Sequence, residues 1–139
     1  MLVEQIRQWG EASFSPPATA DDVRMCEARL GHDLPDELRR LLAETNGIQG
    51  EYGLCLLWSA HRIAEDNARF RESGDFQQLY MPFQGLVFFA DAGNGDQFAV
   101  ALSGNREVFV WDHEDDSRRW VAPTVLRFLE DWMTGALSI

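Results

Sequence analysis

The chain has 139 residues, 45% of them hydrophobic with nine Phe and five Trp, enough for one domain with a sizeable core. Its formal net charge is −11, from 23 acidic side chains against 12 basic ones, and every basic one is arginine. That balance repels a phosphate backbone and excludes direct nucleic-acid binding, and no run of about 18 apolar residues offers a membrane span.

The first residues, MLVEQIRQWG, lack the basic start and apolar middle of a secretory signal, so the expected location is cytoplasmic. In that setting Cys26 and Cys55 read as free thiols with no disulfide. Leu2, Ile6 and Trp9 make a short amphipathic piece. EASFSPPATA, residues 11–20, is linker-like and carries two prolines.

A helix is predicted from Thr19 onward. Thr19 is its N-cap and Asp22, at the third helical position, its acidic partner. Val23, Cys26 and Leu30 fall at helical spacing, and Gly31 is a natural stop. LPDELRRLLAETNG gives a second helix, with Pro35 in its first turn and a buried stripe of Leu38, Leu41 and Leu42 before Asn46-Gly47. The two form a helical hairpin. YGLCLLW, residues 52–58, reads as a buried strand. Ser59 caps a middle helix carrying Ile63, Asn67 and Phe70, and residues 72–84 read as loop.

A three-stranded meander is predicted over residues 86–92, 96–102 and 107–113. Asn94-Gly95 is the strongest short hairpin signal, a two-residue turn with positive φ at both positions, beside Gly93. Gly104-Asn105 is a second candidate. Two two-residue turns set the register: Phe89 faces Val100, Val100 faces Phe109, Phe98 faces Trp111 and Val87 faces Leu102. The other face carries Phe88, Ala90, Ala99, Ala101, Val108 and Val110. It needs cover from a helix, the N-terminal segment or a second copy in a homodimer. Residues 114–118 read as a charged loop. A last helix starts near Pro123, with Val125, Phe128, Leu129 and Trp132 at helical spacing and Gly135 at its end. Helices flanking antiparallel strands indicate an α+β fold in one domain over residues 1–139, with a core over about 20–134.

Several of these blocks together resemble one family. EARLGHDLPDELRRLLAETNG is similar to the helical signature of the SUKH superfamily, the Smi–Knr type domain, through Glu27, Leu30-Gly31, Leu34-Pro35, the leucine stripe and Asn46-Gly47. LLWSAHRIAEDN resembles the next block through Trp58, Ile63 and Asn67. FFADAGNGDQFAV resembles the glycine-aspartate hairpin, and VFVWDHE the strand after it. Leu38 departs from the aromatic often found there, a tolerable hydrophobic swap. The resemblance implies a non-enzymatic binding domain. Many bacterial members resemble immunity proteins that neutralise secreted toxins, often nucleases, by tight binding, and fungal relatives regulate cell-wall synthesis and signalling.

The predicted register puts Asp96 opposite His113, with Asp91 one diagonal step away. Such a trio could do acid–base work or hold a metal weakly. The structural alternative is aspartates that bond turn backbone and an Asp–His pair that satisfies two polar groups. Gly93 and Gly95 do not fit a phosphate loop, because no helix follows and lysine is absent. Glycines at 93 and 95 also deny a calcium loop its alternate oxygen ligands. His32, His61 and His113 have no ligand spacing to a cysteine, so no metal, cofactor or catalytic group is expected. The acidic run Asp112, His113, Glu114, Asp115 and Asp116, extended by Asp91 and Asp96, is the candidate partner-binding surface. It suits a basic toxin domain. The alternatives are a regulatory scaffold that recruits signalling or biosynthetic partners, and a small enzyme built on Asp91, Asp96 and His113.

Overall fold

The computed structural model describes residues 1–137, without the side chains of residues 76, 77 and 79. The helices are α1 (Leu2–Arg7), α2 (Ala20–Leu30), α3 (Asp36–Glu44), α4 (Ala60–Glu72), α5 (Gly74–Leu79) and α6 (Val125–Met133). The strands are β1 (Ser13–Phe14), β2 (Ile48–Gln49), β3 (Cys55–Leu57), β4 (Leu86–Asp91), β5 (Gln97–Ala101), β6 (Val108–Trp111) and β7 (Arg118–Ala122). All pairings are antiparallel, in two sheets ordered β1-β2-β3 and β4-β5-β6-β7. The Trp58 N–H donates to the Phe89 carbonyl (2.8 Å), so the short sheet continues into the long one. The fold is α+β, and among the described residues no helix is long and apolar enough to cross a membrane.

Local chemistry explains the helices. Thr19 and Asp22 form a reciprocal capping box at the start of α2, and Gly31 closes that helix in the left-handed region at φ 83°. Glu27 then joins α2 to α3. Its carboxylate accepts from the Leu34 N–H (2.7 Å) and from Arg39 (2.8 Å). Pro35 sits at the N-cap of α3, one position earlier than expected, and Leu38, Leu41 and Leu42 are fully buried. Ser59 and Thr124 cap α4 and α6 through their side chains. Two distant carboxylates finish other ends: Glu44 accepts from Leu2 and Val3 at the start of α1, and Glu37 from Val125 and Leu126 at the start of α6.

Several expectations are corrected. The linker-like stretch contains β1, residues 72–84 contain α5, and the predicted strand at 52–58 shortens to Cys55–Leu57 behind a 3₁₀ turn, Glu51–Gly53. A fourth strand, β7, follows the charged loop. The meander register is off by one. Phe98 pairs with Val110 and Trp111 with Gln97; Val87 pairs with Val100 and Val100 with Val108. The cause is turn length. Ala92 donates to the Asp96 carbonyl (3.0 Å), leaving residues 93–95 as the loop, with φ 95° at Gly93 and at Gly95 but not at Asn94. The second connection is likewise longer, with Ala101 donating to the Glu107 carbonyl (2.9 Å) and positive φ at Gly104 and Arg106. A bulge between Phe88 and Ala90 adds a further shift.

A one-residue slip moves side chains to the opposite face. Trp111 therefore joins Phe88 (ring centroids 5.7 Å), where Phe70 of α4 and Phe83 also pack. Phe89 and Phe98 remain together under Phe128 of α6, at 5.5 and 4.4 Å, with Trp132 against Phe98. Both faces are thus aromatic, and helices cover each of them.

Candidate functional site

The predicted site residues gather at one end of the long sheet, in the β4–β5 turn and the β6–β7 turn. Asp96 and His113 meet despite the slipped register, because both lie just outside the paired strands. His113 Nδ1 is 2.7 Å from the Asp96 carboxylate, and the His113 N–H donates to the same oxygen (3.2 Å). The imidazole lies against Gly95, where a Cβ would come within 2.8 Å of Cε1. The hydrogen bond to Asp96 outweighs desolvation and, with the Asp96, Glu114 and Asp112 charges, raises the His113 pKa above the ordinary imidazole value.

Asp91 does not join them. It makes a two-pronged ion pair with Arg62 of α4 (2.8 and 2.9 Å). Arg62 also bonds Asp66 (3.1 Å) and lies over the Trp58 ring, 4.0 Å from its centroid. Desolvation opposes the Arg62 charge, but the Asp91 and Asp66 carboxylates prevail and raise its pKa. Sequence reading missed Arg62, whose only local signal is its i, i+4 spacing to Asp66.

The acidic run forms the turn of the β6–β7 hairpin, and its members differ in role. Asp116 faces inward: it accepts from the Trp111 indole (2.8 Å), the Met81 N–H (2.9 Å) and Arg118 (3.2 Å). Burial works against its charge, yet these donors hold its pKa below the ordinary value. Asp112 accepts from the Glu114 N–H (2.8 Å) and Asp115 from the Ser117 N–H (2.9 Å), both shaping the turn. The Ser117 hydrogen bonds lower the Asp115 pKa. Glu114 is exposed and, among the described residues, its carboxylate has no hydrogen-bond or ion-pair partner.

Among the described residues one grouping has metal-ligand geometry. Asp96, Asp112 and His113 each bring a ligand atom within 4.8 Å of the others. Asp96 bonds the imidazole through Nδ1, so the carboxylate orients the ring and raises its basicity. Asp96 is mostly buried while the His113 ring is partly exposed, and one Asp96 oxygen meets both the ring and the backbone N–H of His113.

Fold and site together define an α+β domain of acidic surface, whose sheet-end carboxylates are in large part neutralised from within. A family model described as SMI1-KNR4 cell-wall (SUKH_6) matches residues 20–129, well over half of the sequence, and the chain belongs to that family. No curated protein sequence matches it.

Proposed function

We propose that this chain is a non-enzymatic, cytoplasmic protein-binding domain that neutralises a basic toxin domain, such as a nuclease, by direct contact. The observation that carries the reading is the exposure of Glu114 and Asp115 on the β6–β7 turn, with half-buried Asp112, Asp96 and His113 beside them, on a chain of net charge −11. Asp91 and Asp116 back this rim from inside through Arg62, Arg118 and Trp111. A nuclease carries a cationic groove for phosphate, and a rim of fixed carboxylates can occupy it by charge mimicry. Charges held in place by the fold cost less ordering on binding than free ones. Membership of the SUKH family supports a protein-interaction role.

The test is binding of a cationic nuclease toxin domain at roughly 50 and 500 mM salt. Association should slow and affinity should fall at least about tenfold between them. An affinity that does not respond to salt overturns the charge-mimicry reading. The family description, which names the cell wall, favours one alternative: a regulatory scaffold that recruits signalling or biosynthetic partners. That alternative predicts a partner with no cationic surface.

A further inference from the structure

Next to the acidic sheet end the 3₁₀ turn Glu51–Gly53 separates two clefts. One, of about 560 Å³, runs from Glu51 and Tyr52 to Asp91, Asp96 and Gln97, and so adjoins the proposed docking rim. The other, of about 200 Å³, has Leu54, Leu56, Trp132 and Met133 in its lining, with Glu11 and Glu51 beside them. The chain around this second cleft is closely fitted. A Cβ on Gly50 would approach Leu56 Cδ1 to 2.9 Å.

Two features set this place apart. Most carboxylates of the chain are used internally, as helix caps, turn ligands or ion pairs. The carboxylates of Glu11 and Glu51 are exposed and, among the described residues, have no hydrogen-bond or ion-pair partner. Arg7, which shares a neighbouring cleft with them, lies over the Phe14 ring at 4.4 Å. Between the clefts Tyr52 stands fully exposed. An apolar floor, two carboxylates without an ion-pair partner and an exposed aromatic ring thus line one cleft.

We infer that this second cleft is the anchor pocket for an arginine side chain of the protein partner. The inference rests on the basic-partner reading above and adds a place and a residue type to it. An arginine has an apolar stem to lie on Leu54 and Trp132, and a planar cation that can bond Glu11 and Glu51 together. Tyr52 supplies a face for the guanidinium. Lysine, a compact and strongly hydrated cation, gains less from two carboxylates and a ring.

The test uses the ¹⁵N-labelled full chain titrated with a hexapeptide of alternating arginine and leucine. Saturable shifts should fall on the Trp132 indole and on the amides of residues 51–54. The double substitution Glu11→Gln/Glu51→Gln should weaken binding roughly fivefold. Asp33→Asn/Asp75→Asn removes the same charge from other exposed sites, and should stay within about twofold of the parent. Equal weakening by the two pairs, which would mean attraction by net charge alone, overturns the inference. Shifts confined to residues 112–116 also overturn it and leave the basic-partner reading standing. No saturable shift anywhere removes both.

Discussion

Asn67 of α4 clamps both backbone groups of Phe88. Its side-chain carbonyl accepts from the Phe88 N–H (2.8 Å) and its amide donates to the Phe88 carbonyl (2.9 Å). The same amide donates to the Ile63 carbonyl (2.7 Å). Phe88 adjoins the bulge in β4, where ladder pairing is interrupted, and a helix side chain takes the place of a strand there. Both residues are buried, so Asn67→Ala leaves two polar groups without partners. The expected loss is about 2–4 kcal/mol in urea unfolding. Asn67→Asp should be costly at neutral pH and recover as pH falls, because only the protonated carboxyl can donate to the Phe88 carbonyl. A variant as stable as the parent would mean that water replaces the clamp.

Glu37 ties the third helix to the last one across the chain. It accepts the first N–H groups of α6 at 2.7 and 3.0 Å, from a residue 88 positions away. Glu37→Ala should cost about 1–2 kcal/mol. Hydrogen exchange should show early opening at residues 125–128, with α4 unaffected. Uniform faster exchange would place the loss elsewhere.

Gly95 is needed twice, for φ 95° and for the imidazole packed on it. Gly95→Ala should destabilise by at least about 1 kcal/mol and move the His113 ring resonances. Proton titration by NMR gives the electrostatic half. Because Asp96 raises the His113 pKa, the pair stabilises the fold below the unfolded imidazole value, and that contribution is lost as pH rises through the folded one. Asp96→Asn should lower the titration midpoint. An unchanged midpoint would remove Asp96 as its cause.

Glu27 has the opposite sign. Burial raises its pKa, but the hydrogen bonds from Arg39 and the Leu34 backbone and the Arg39 charge prevail and hold it below the ordinary value. Its contribution is therefore present above the unfolded carboxylate value and is lost as pH falls through the folded one. Glu27→Gln should be less stable than the parent at pH about 7, and the gap should close towards pH about 3. A gap constant with pH would make its role one of packing.

The two thiols should react differently. Burial, with the nearby Glu27 charge, pushes the Cys26 pKa up to about 12, whereas Cys55 is half-buried at the edge of a cleft. Iodoacetamide should modify Cys55 in the folded chain and Cys26 only on unfolding. Equal rates would show that α2 opens readily.

The sequence alone determined the features whose physics is local. Thr19 with Asp22, Ser59, Gly31 and the leucines at 38, 41 and 42 act within a turn or two of themselves, so caps and buried stripes could be read from spacing. The strands of the meander were legible from their apolar runs and turn residues, whereas Asp96 and His113, 17 residues apart, meet although the register from which their meeting was expected is off by one. What stayed hidden depends on contacts between distant residues. Two glycines flank Asn94, and which residues close the loop is settled by how β4 and β5 pack between α4 and α6. The register, and the side of the sheet on which Trp111 lies, follow from that. Strand β7 opens with two arginines and is only partly buried, so no alternation marks it until β6 supplies a partner. Asp91 is 29 residues from Arg62. Only the tertiary fold could decide that it serves as the counter-ion of a buried-edge arginine, and that Glu11 and Glu51 are left without one. Charge is counted in a sequence, but which charges remain unspent is decided by distance in three dimensions.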